Sequence, residues 1–518
     1  MKKIIIVILI LISSGCTDLD LAPLDAKSEL TFWKTEEDAR IFLNAMYADL
    51  WNADEYLFFN TMSDDVYTRR ESYRNIANGN YDATNEVIAS VWSGRYEGIR
   101  RANIFFNNID NVEDITENDR VSYKAQARFI RAFHYFYLIT LYGDVPLVLD
   151  EITIQESLEL TRDSKSVIKD FIYNELDDAI SNLPISTDES GRITKGAAIA
   201  LKSRIHLYNK EYTEAANLTS QLFDQYTLFP DYGSLFSIEN ENNSEIILSL
   251  QYLAVNREHN NQYYLIPPSQ GGFANFSPLQ ELVDSYPMST GLEITDPASG
   301  YDENNPYINR DKRLTATIVY DDYQWTDFSG NLINIDTSPG ANPDGFNFSS
   351  NTTQTGYYVA KYYDMGARNQ INSGVDLILF RYAEVLLNYA EAKVELNTFS
   401  EEDWNKTIKL IRQRAGFTGQ ALNYPTSDQA TLRSVVRNER RIELAFEAGH
   451  RFFDIKRWKT AASVLNGWAT GFKTDQSSDD NGYVRVDFRN FDSSKHYLWP
   501  IPQSERDLNN NLTQNPNW

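Results

Sequence analysis

Two closely spaced pairs of amphipathic segments, set about 150 residues apart, most constrain what this chain folds into. Lys195 to Asn209 carries Ala197, Ala198, Ala200, Leu201, Ile205 and Leu207. Tyr212 to Tyr226 follows almost at once with Ala215, Ala216, Leu218, Leu222 and Phe223. So short a gap turns the second helix back on the first, and small residues let the two close up in the manner of a tetratricopeptide unit. A second pair lies downstream. Tyr382 to Leu396 carries Ala383, Leu386, Leu387, Tyr389, Ala390 and Ala392, and Glu402 to Arg414 carries Trp404, Ile408 and Ile411. Such units bury their apolar faces by stacking, so both ends of the chain must complete one helical scaffold. The expected fold is mostly α, with tetratricopeptide-like helical pairs and an irregular loop and short-strand region inserted between them.

The stretch before these pairs also reads as helical. Thr35 caps a helix whose first turn is Glu36, Glu37 and Asp38, acids that suit the positive N-terminus. Ala39, Phe42, Leu43, Met46, Tyr47 and Leu50 follow on one face. Val87, Ile88, Val91, Trp92, Tyr96, Ile99, Asn103 and Phe106 mark a second helix. Asp119 to Leu141 is a third, closed by Gly143 and Pro146, and Lys165 to Leu183 a fourth, closed by Pro184. From 229 to 372 the character changes. Gly, Pro, Asn and Asp punctuate short apolar runs such as Ile246 to Leu250 and Leu314 to Val319, both read as strands. Aromatic residues are dense there and make up 13% of the chain, which argues against disorder. The expected organisation is a leader over 1–15, an acidic tether over 16–34 and a helical region over 35–228. The irregular aromatic region then covers 229–372, and a helical remainder 373–518.

Lys2 and Lys3, the apolar run Ile4 to Ile12, and then Ser13, Ser14, Gly15 and Cys16 form a secretory signal, too short to span a bilayer. Cys16 is the one cysteine, so it has no disulfide partner within the chain. Its setting resembles a bacterial lipobox, with Ser13 standing where many have Leu. Several acyl chains there, at ~0.8 kcal/mol per buried methylene, anchor a protein stably to a membrane. The bland alternative is plain secretion with an incidental cysteine. The formal net charge is −25. Such a field repels phosphate backbones and argues against nucleic acid as a partner.

Several further segments, read in order, resemble the SusD/RagB family of Bacteroidetes surface lipoproteins from end to end. They are Arg128-Phe129-Ile130-Arg131-Ala132-Phe133-His134-Tyr135-Phe136 running into Tyr142-Gly143-Asp144-Val145-Pro146-Leu147, and then Arg381-Tyr382-Ala383-Glu384 through Ala392. Arg437-Asn438-Glu439-Arg440-Arg441-Ile442-Glu443 leads on through Glu447 to Gly449-His450-Arg451-Phe452-Phe453-Asp454-Ile455-Lys456-Arg457-Trp458. Leu498-Trp499-Pro500-Ile501-Pro502 and the terminal Asn515-Pro516-Asn517-Trp518 close the set. The resemblance implies an outer-membrane, surface-exposed lipoprotein that binds oligo- or polysaccharide and serves as a lid over a SusC-type TonB-dependent transporter. Some relatives capture peptides instead. Arg437, Arg440, Arg441, Glu443 and Glu447 fall within an apolar helix, where unpaired charge is costly, so they are expected to staple helices by ion pairs.

Enzymatic signatures are absent from the sequence. His134, His206, His259, His450 and His496 form no H-E-x-x-H, and there is no nucleophile elbow, Walker loop or G-x-G-x-x-G. His134 and His206 read as satisfied core histidines. Ser477 and Phe488 stand where an EF-hand pattern around Asp479 and Asp480 needs its first and last ligands, so no calcium loop is expected. No cofactor and no metal are expected. The rival functional class is a surface glycoside hydrolase with unrecognised carboxylates, for which Asp64 and Asp65 are one candidate pair. Sugars offer apolar C–H faces and a rim of hydroxyls, so a site for them wants flat rings beside carboxylates and guanidinium groups. Two stretches fit. The loop Asn60 to Tyr81 supplies Asp64, Asp65, Arg70, Tyr73 and Tyr81. The aromatic region supplies Phe273, Tyr323, Trp325 and Phe328, with Trp325 expected to be an exposed stacking platform.

Overall fold

The computed structural model describes residues 32–340, 342–348, 351–425, 428–475, 477 and 480–518. The leader, Cys16 and most of the expected tether lie outside the described residues. Packing begins ahead of the expected boundary at 35: Trp33 is buried against Phe42 and Phe105, with ring centroids 4.8 and 5.8 Å away.

The first four helices are Glu36–Ala48, Glu86–Asn108, Glu117–Leu141 and Lys165–Asn182, with short turns of helix at Ala53–Phe58 and Glu71–Asn78. Thr35 Oγ1 accepts from the Asp38 N–H at 3.2 Å while Asp38 Oδ2 accepts from the Thr35 N–H at 2.9 Å, a reciprocal capping box. The third helix stops at Gly143, whose φ of 78° lies in the left-handed region that glycine enters without penalty. His134 on that helix is fully buried, but neither ring nitrogen has a hydrogen-bond partner among the described residues, so it is a core histidine without being a satisfied one. Burial and the charges of Arg95 and Arg101 hold it neutral. His206, by contrast, bonds Glu211 at 2.7 Å and stacks on Tyr173.

The first helical pair is Lys195–Tyr208 and Tyr212–Ser220, the second member ending earlier than its pattern suggested, in a turn with Asp224 at φ 65°. Of the second pair, Tyr382–Glu395 is one helix, but two short helices, Glu401–Lys406 and Ile408–Arg414, replace the single one expected. The break is Thr407, at φ −130° and ψ −91°, whose hydroxyl donates to the Asp403 carbonyl at 2.6 Å. The two pairs meet as the scaffold argument required. Leu207, Ala215 and Ala216 pack on Ala392, and Arg204 grips Glu384 through two hydrogen bonds of 2.7 and 2.6 Å. The protein is thus mostly α on a tetratricopeptide-like scaffold.

Among the described residues, five two-stranded antiparallel pairs lie between and around the helices. They are β1 (Val66–Tyr67) with β3 (Ser277–Pro278), β2 (Ile246–Leu250) with β8 (Leu377–Arg381), β4 (Ile318–Val319) with β7 (Tyr358–Val359), β5 (Tyr323–Thr326) with β6 (Leu332–Ile335), and β9 (Asn466–Lys473) with β10 (Tyr483–Asn490). The run Leu314 to Val319 is not the strand expected. Lys312–Thr317 is helical, because Asp311 caps it by accepting from the Arg313 N–H at 2.9 Å, and only Ile318–Val319 are extended.

The charged motifs lie inside the core. Arg381 directs all of its N–H groups to Glu245, Glu443, Glu447 and the Glu443 carbonyl, at 2.6 to 2.8 Å. Glu443 also pairs with Arg313 at 2.9 Å and with Arg414, and Glu447 with Lys361 at 2.7 Å. Burial opposes the Glu443 charge, but the Arg414, Arg381 and Arg313 guanidinium groups outweigh it and hold the carboxyl far below its ordinary range. Arg440 pairs with Asp454 at 2.7 Å and Arg437 with Glu395 at 3.2 Å.

Candidate functional site

Asp64 and Asp65 do not face a ligand. The loop after Phe58 carries them inward, beneath the helices Gln429–Glu443 and His450–Arg457. Asp64 accepts two hydrogen bonds from Arg451, at 2.8 and 2.7 Å, and Asp65 accepts from Arg441 at 2.7 Å. Burial alone would raise the Asp64 pKa; Arg441 and Arg451 more than reverse this, and the group is held ionised. The two carboxylates belong to the same class of buried ion pairs as Glu443, and the expectation that they contact sugar is corrected on that ground.

Arg70, six residues on, is placed differently. Its guanidinium lies 3.7 Å from the Phe58 ring centroid and 4.5 Å from that of Tyr264, and Asp54 holds it at 2.6 Å. Burial works against its charge, but the Asp54 carboxylate prevails and raises its pKa. Tyr73 packs on Phe58 with centroids 5.4 Å apart. Beside them opens a cavity of ≈ 580 Å³ lined by Asn52, Asp54, Arg70, Glu71, Tyr73 and Glu86, among others. The row of rings continues through Tyr264 to Tyr263, which stacks on Phe273 at 5.7 Å and 16°. Arg69 has no carboxylate partner among the described residues; its Nη2 donates to the Thr352 carbonyl at 3.0 Å. Arg70, Tyr73 and Phe273 are therefore brought together.

Tyr323, Trp325 and Phe328 form a neighbouring cluster on the β5–β6 hairpin. Trp325 is not the exposed platform expected: it is 2% exposed, wedged 4.3 Å from Tyr363 and 6.2 Å from Tyr323. Register explains this. Trp325 pairs with Ile333 across the hairpin, and Tyr363 folds over it from a distant segment. Tyr323 and Phe328 stay half-buried at its edge. The loop from Asn261 joins this cluster to the first, since Gln262 Nε2 donates to the carbonyls of Asp364 and Gln370, just beyond Tyr363. Tyr81 stands apart from both, stacked on His496 at 4.9 Å and beside Trp518.

Asp54, Tyr263 and Tyr264 are the parts of the first cluster that the sequence does not single out; Arg69 falls within the Asn60 to Tyr81 stretch, and Phe58, which is fully buried, backs the Arg70 guanidinium. The adjacent tyrosines at 263 and 264, between turn residues, were the available signal. The cluster offers flat rings, a guanidinium clamped to a carboxylate that is 48% exposed, and a second guanidinium with free donors. It can stack on apolar faces and exchange bidentate hydrogen bonds with neighbouring hydroxyls. No group of three or more His, Cys, Asp or Glu able to hold a metal occurs among the described residues. None of their helices is long and apolar enough to cross a membrane.

Residues 238–518 match the family model described as the SusD family, and residues 24–207 match one described as starch-binding associating with outer membrane. A SusD-like protein of Formosa agariphila, P25, is 26% identical over 510 residues, covering 92% of this chain and 91% of that protein. A SusD-like carbohydrate binding protein of Bacteroides fragilis superposes with a TM-score of 0.86 at 29% identity, over 93% of this chain and 100% of the other. The starch-binding protein SusD of Bacteroides thetaiotaomicron is 27% identical over 172 residues, 30% of each chain.

Proposed function

Because this chain belongs to the SusD family, we propose that it is a non-catalytic glycan-binding lipoprotein of the outer-membrane surface. It captures an oligo- or polysaccharide and hands it to a SusC-type TonB-dependent transporter. The observation that carries the reading is the Arg70 cluster: beside an open cavity Asp54 and Arg70 present paired hydrogen-bonding edges, and the half-buried rings of Tyr264, Tyr263 and Phe273 continue from them. That is the composition a pyranose chain requires. Two relatives named for carbohydrate or starch binding support it. A family model described as associating with the outer membrane, and the signal ending at Cys16, support the location and the lipid anchor.

The hydrolase reading loses its candidate pair, since Asp64 and Asp65 are held by Arg441 and Arg451 in the interior. Retardation of the purified mature chain in gels containing starch, β-glucan, xylan, mannan or alginate tests the proposal. Each polymer is also incubated overnight with the protein and analysed for released sugars. Retardation by at least one polymer without product is expected. Product formation would move the protein to the enzyme class, and no retardation by any polymer would remove the glycan reading. Two variants locate the site: Tyr263→Ala and Phe273→Ala should each weaken binding about tenfold, the scale of one lost aromatic contact. Replacing Cys16 with Ala should release the protein from membranes.

A further inference from the structure

The described residues include only three exposed aromatic side chains, although aromatics make up 13% of the chain: Phe348 at 56%, Trp468 at 45% and Phe488 at 55%. Trp468 and Phe488 lie on the β9–β10 hairpin, and Phe348 reaches it through Phe346. Trp468 and Phe488 are direct cross-strand partners, with centroids 5.3 Å apart. Paired residues of an antiparallel hairpin share a face, and successive pairs alternate. The next pair, Gly467 with Arg489, turns inward, where Arg489 donates to the carbonyls of Ser63 and Val66. Asn466 and Asn490, the pair beyond, return to the solvent side. On the other flank the Arg485 guanidinium lies 5.3 Å from the Trp468 ring and forks onto Asp480 at 2.7 and 2.8 Å. The outer face therefore carries two rings bracketed by amides and by a guanidinium–carboxylate pair. No aliphatic side chain of either strand is exposed.

A chain of contacts links the hairpin to the Arg70 cluster. Asn351 accepts from the Ala274 N–H at 3.0 Å, next to Phe273, and Thr352 accepts from Arg69. Thr355, in the same segment, accepts from the Phe472 N–H at 2.7 Å. Phe472 packs on Phe346, which packs on Phe348, at 5.3 and 5.0 Å. From Phe472 the strand runs four residues to Trp468, about 13 Å. Rings thus recur from Phe273 to the far side of the hairpin.

We propose that the outer face of the β9–β10 hairpin is a second carbohydrate platform, taking later sugar units of a long chain whose first units lie at the Arg70 cluster. The proposal rests on the glycan reading above. A protein partner would want exposed aliphatic surface, and this face has none; rings with amides and a charged fork are what pyranose rings and their hydroxyls recognise. Its function is to favour polymers over short oligomers, since units bound at both platforms of one chain add in avidity.

The test uses the full mature chain and the polymer that retards the unsubstituted protein most in the gel panel. Binding of that polymer and of its trisaccharide is measured by calorimetry. Trp468→Ala/Phe488→Ala should bind the polymer about tenfold more weakly, the scale of losing an aromatic contact, while the trisaccharide affinity stays within twofold. Trp468→Tyr should recover most of the loss. Unchanged polymer affinity overturns the proposal, as does an equal loss for polymer and trisaccharide. So does a double variant that keeps polymer binding but fails to co-purify with a partner protein, which would make the face a protein dock. If no polymer in the panel binds the unsubstituted chain, the glycan reading itself fails, a result distinct from a selective failure of the double variant. Both side chains are exposed, so the melting temperature should hold; a large fall overturns the placement of the rings at the surface.

Discussion

The interior around Arg381 and the loop face around Arg70 are built from the same parts: arginine, carboxylate and aromatic rings. They differ in saturation. Arg381 is 1% exposed, and its N–H groups all end on protein oxygens. The Arg70 side chain is 23% exposed, and the Asp54 that holds it is 48% exposed, so both retain edges that reach solvent. A closed set of charges can only hold helices together; an open set can exchange partners with a ligand. Asp64 and Arg70, six residues apart in the chain, fall on opposite sides of this division.

The largest effect that would break the comparison is Arg381→Ala. It takes one buried cation from Glu245, Glu443 and Glu447, which Arg313, Arg414 and Lys361 then balance only in part, and removing one partner of such a set costs about 3–5 kcal/mol. A urea melt should show that loss in midpoint. A loss under 1 kcal/mol would mean that the network is no more than a bystander. Trp325→Ala comes next, on the aromatic side. Because the ring is buried against Tyr363, we expect about 3 kcal/mol of destabilisation from the cavity left behind. A variant that melts like the unsubstituted protein would return Trp325 to the surface.

Lys456 sharpens the rule from within the core. It is buried, its Nζ has no hydrogen-bond partner among the described residues, and it lies 4.8 Å from the Phe452 ring. Burial, with a smaller push from Lys459, lowers its pKa to about 7. The unfolded chain keeps this proton up to a pH of about 10.4. The unfolded state therefore binds more protons between these values, and the stability penalty is full below pH 7 and relieved as pH rises toward 10. Lys456→Met removes the charge and keeps the stem. It should stabilise the protein by several kcal/mol at pH 6, with the gain shrinking as pH rises. A gain that is constant across pH 6 to 10 would assign the effect to packing instead.

How much of this was legible in sequence follows the same division. Local signals were: Thr35 ahead of Glu36, Glu37 and Asp38 announced a capped helix start, and the alanine stripes at 197–216 and 383–392 announced stacked pairs. The need of Glu443 and Glu447 for partners was also readable, because a charge in an apolar helix must be paired. Which partners was not: Arg451 meets Asp64 across 387 residues of chain. Trp325 was misread for a related reason. Its strand gives no clear alternation, since Leu332 on the paired strand is 71% exposed, and the burial comes from Tyr363. Trp468 was overlooked because Gly467 and Gly471 break the strand pattern around it. Tertiary contacts decided each of these, and no local period encodes them.

The smallest effect tests the open set itself. Arg70→Lys keeps the charge that Asp54 pairs with but replaces a plane by a point. If Arg70 serves only to balance Asp54, lysine should do as well. If it serves as a flat group between Phe58 and Tyr264 that offers two parallel N–H bonds to sugar hydroxyls, lysine loses both stacking and fork. The stacking term between guanidinium and ring is about 0.5–1 kcal/mol when partly exposed, and a loss of about 1 kcal/mol weakens binding roughly fivefold. The expected result is a fivefold rise in the dissociation constant for the retained polymer, with a melting temperature nearly unchanged because the side chain still meets solvent. Unchanged affinity together with a lowered melting temperature would place Arg70 among the scaffold arginines, and the division between the two regions would then run somewhere else in the loop.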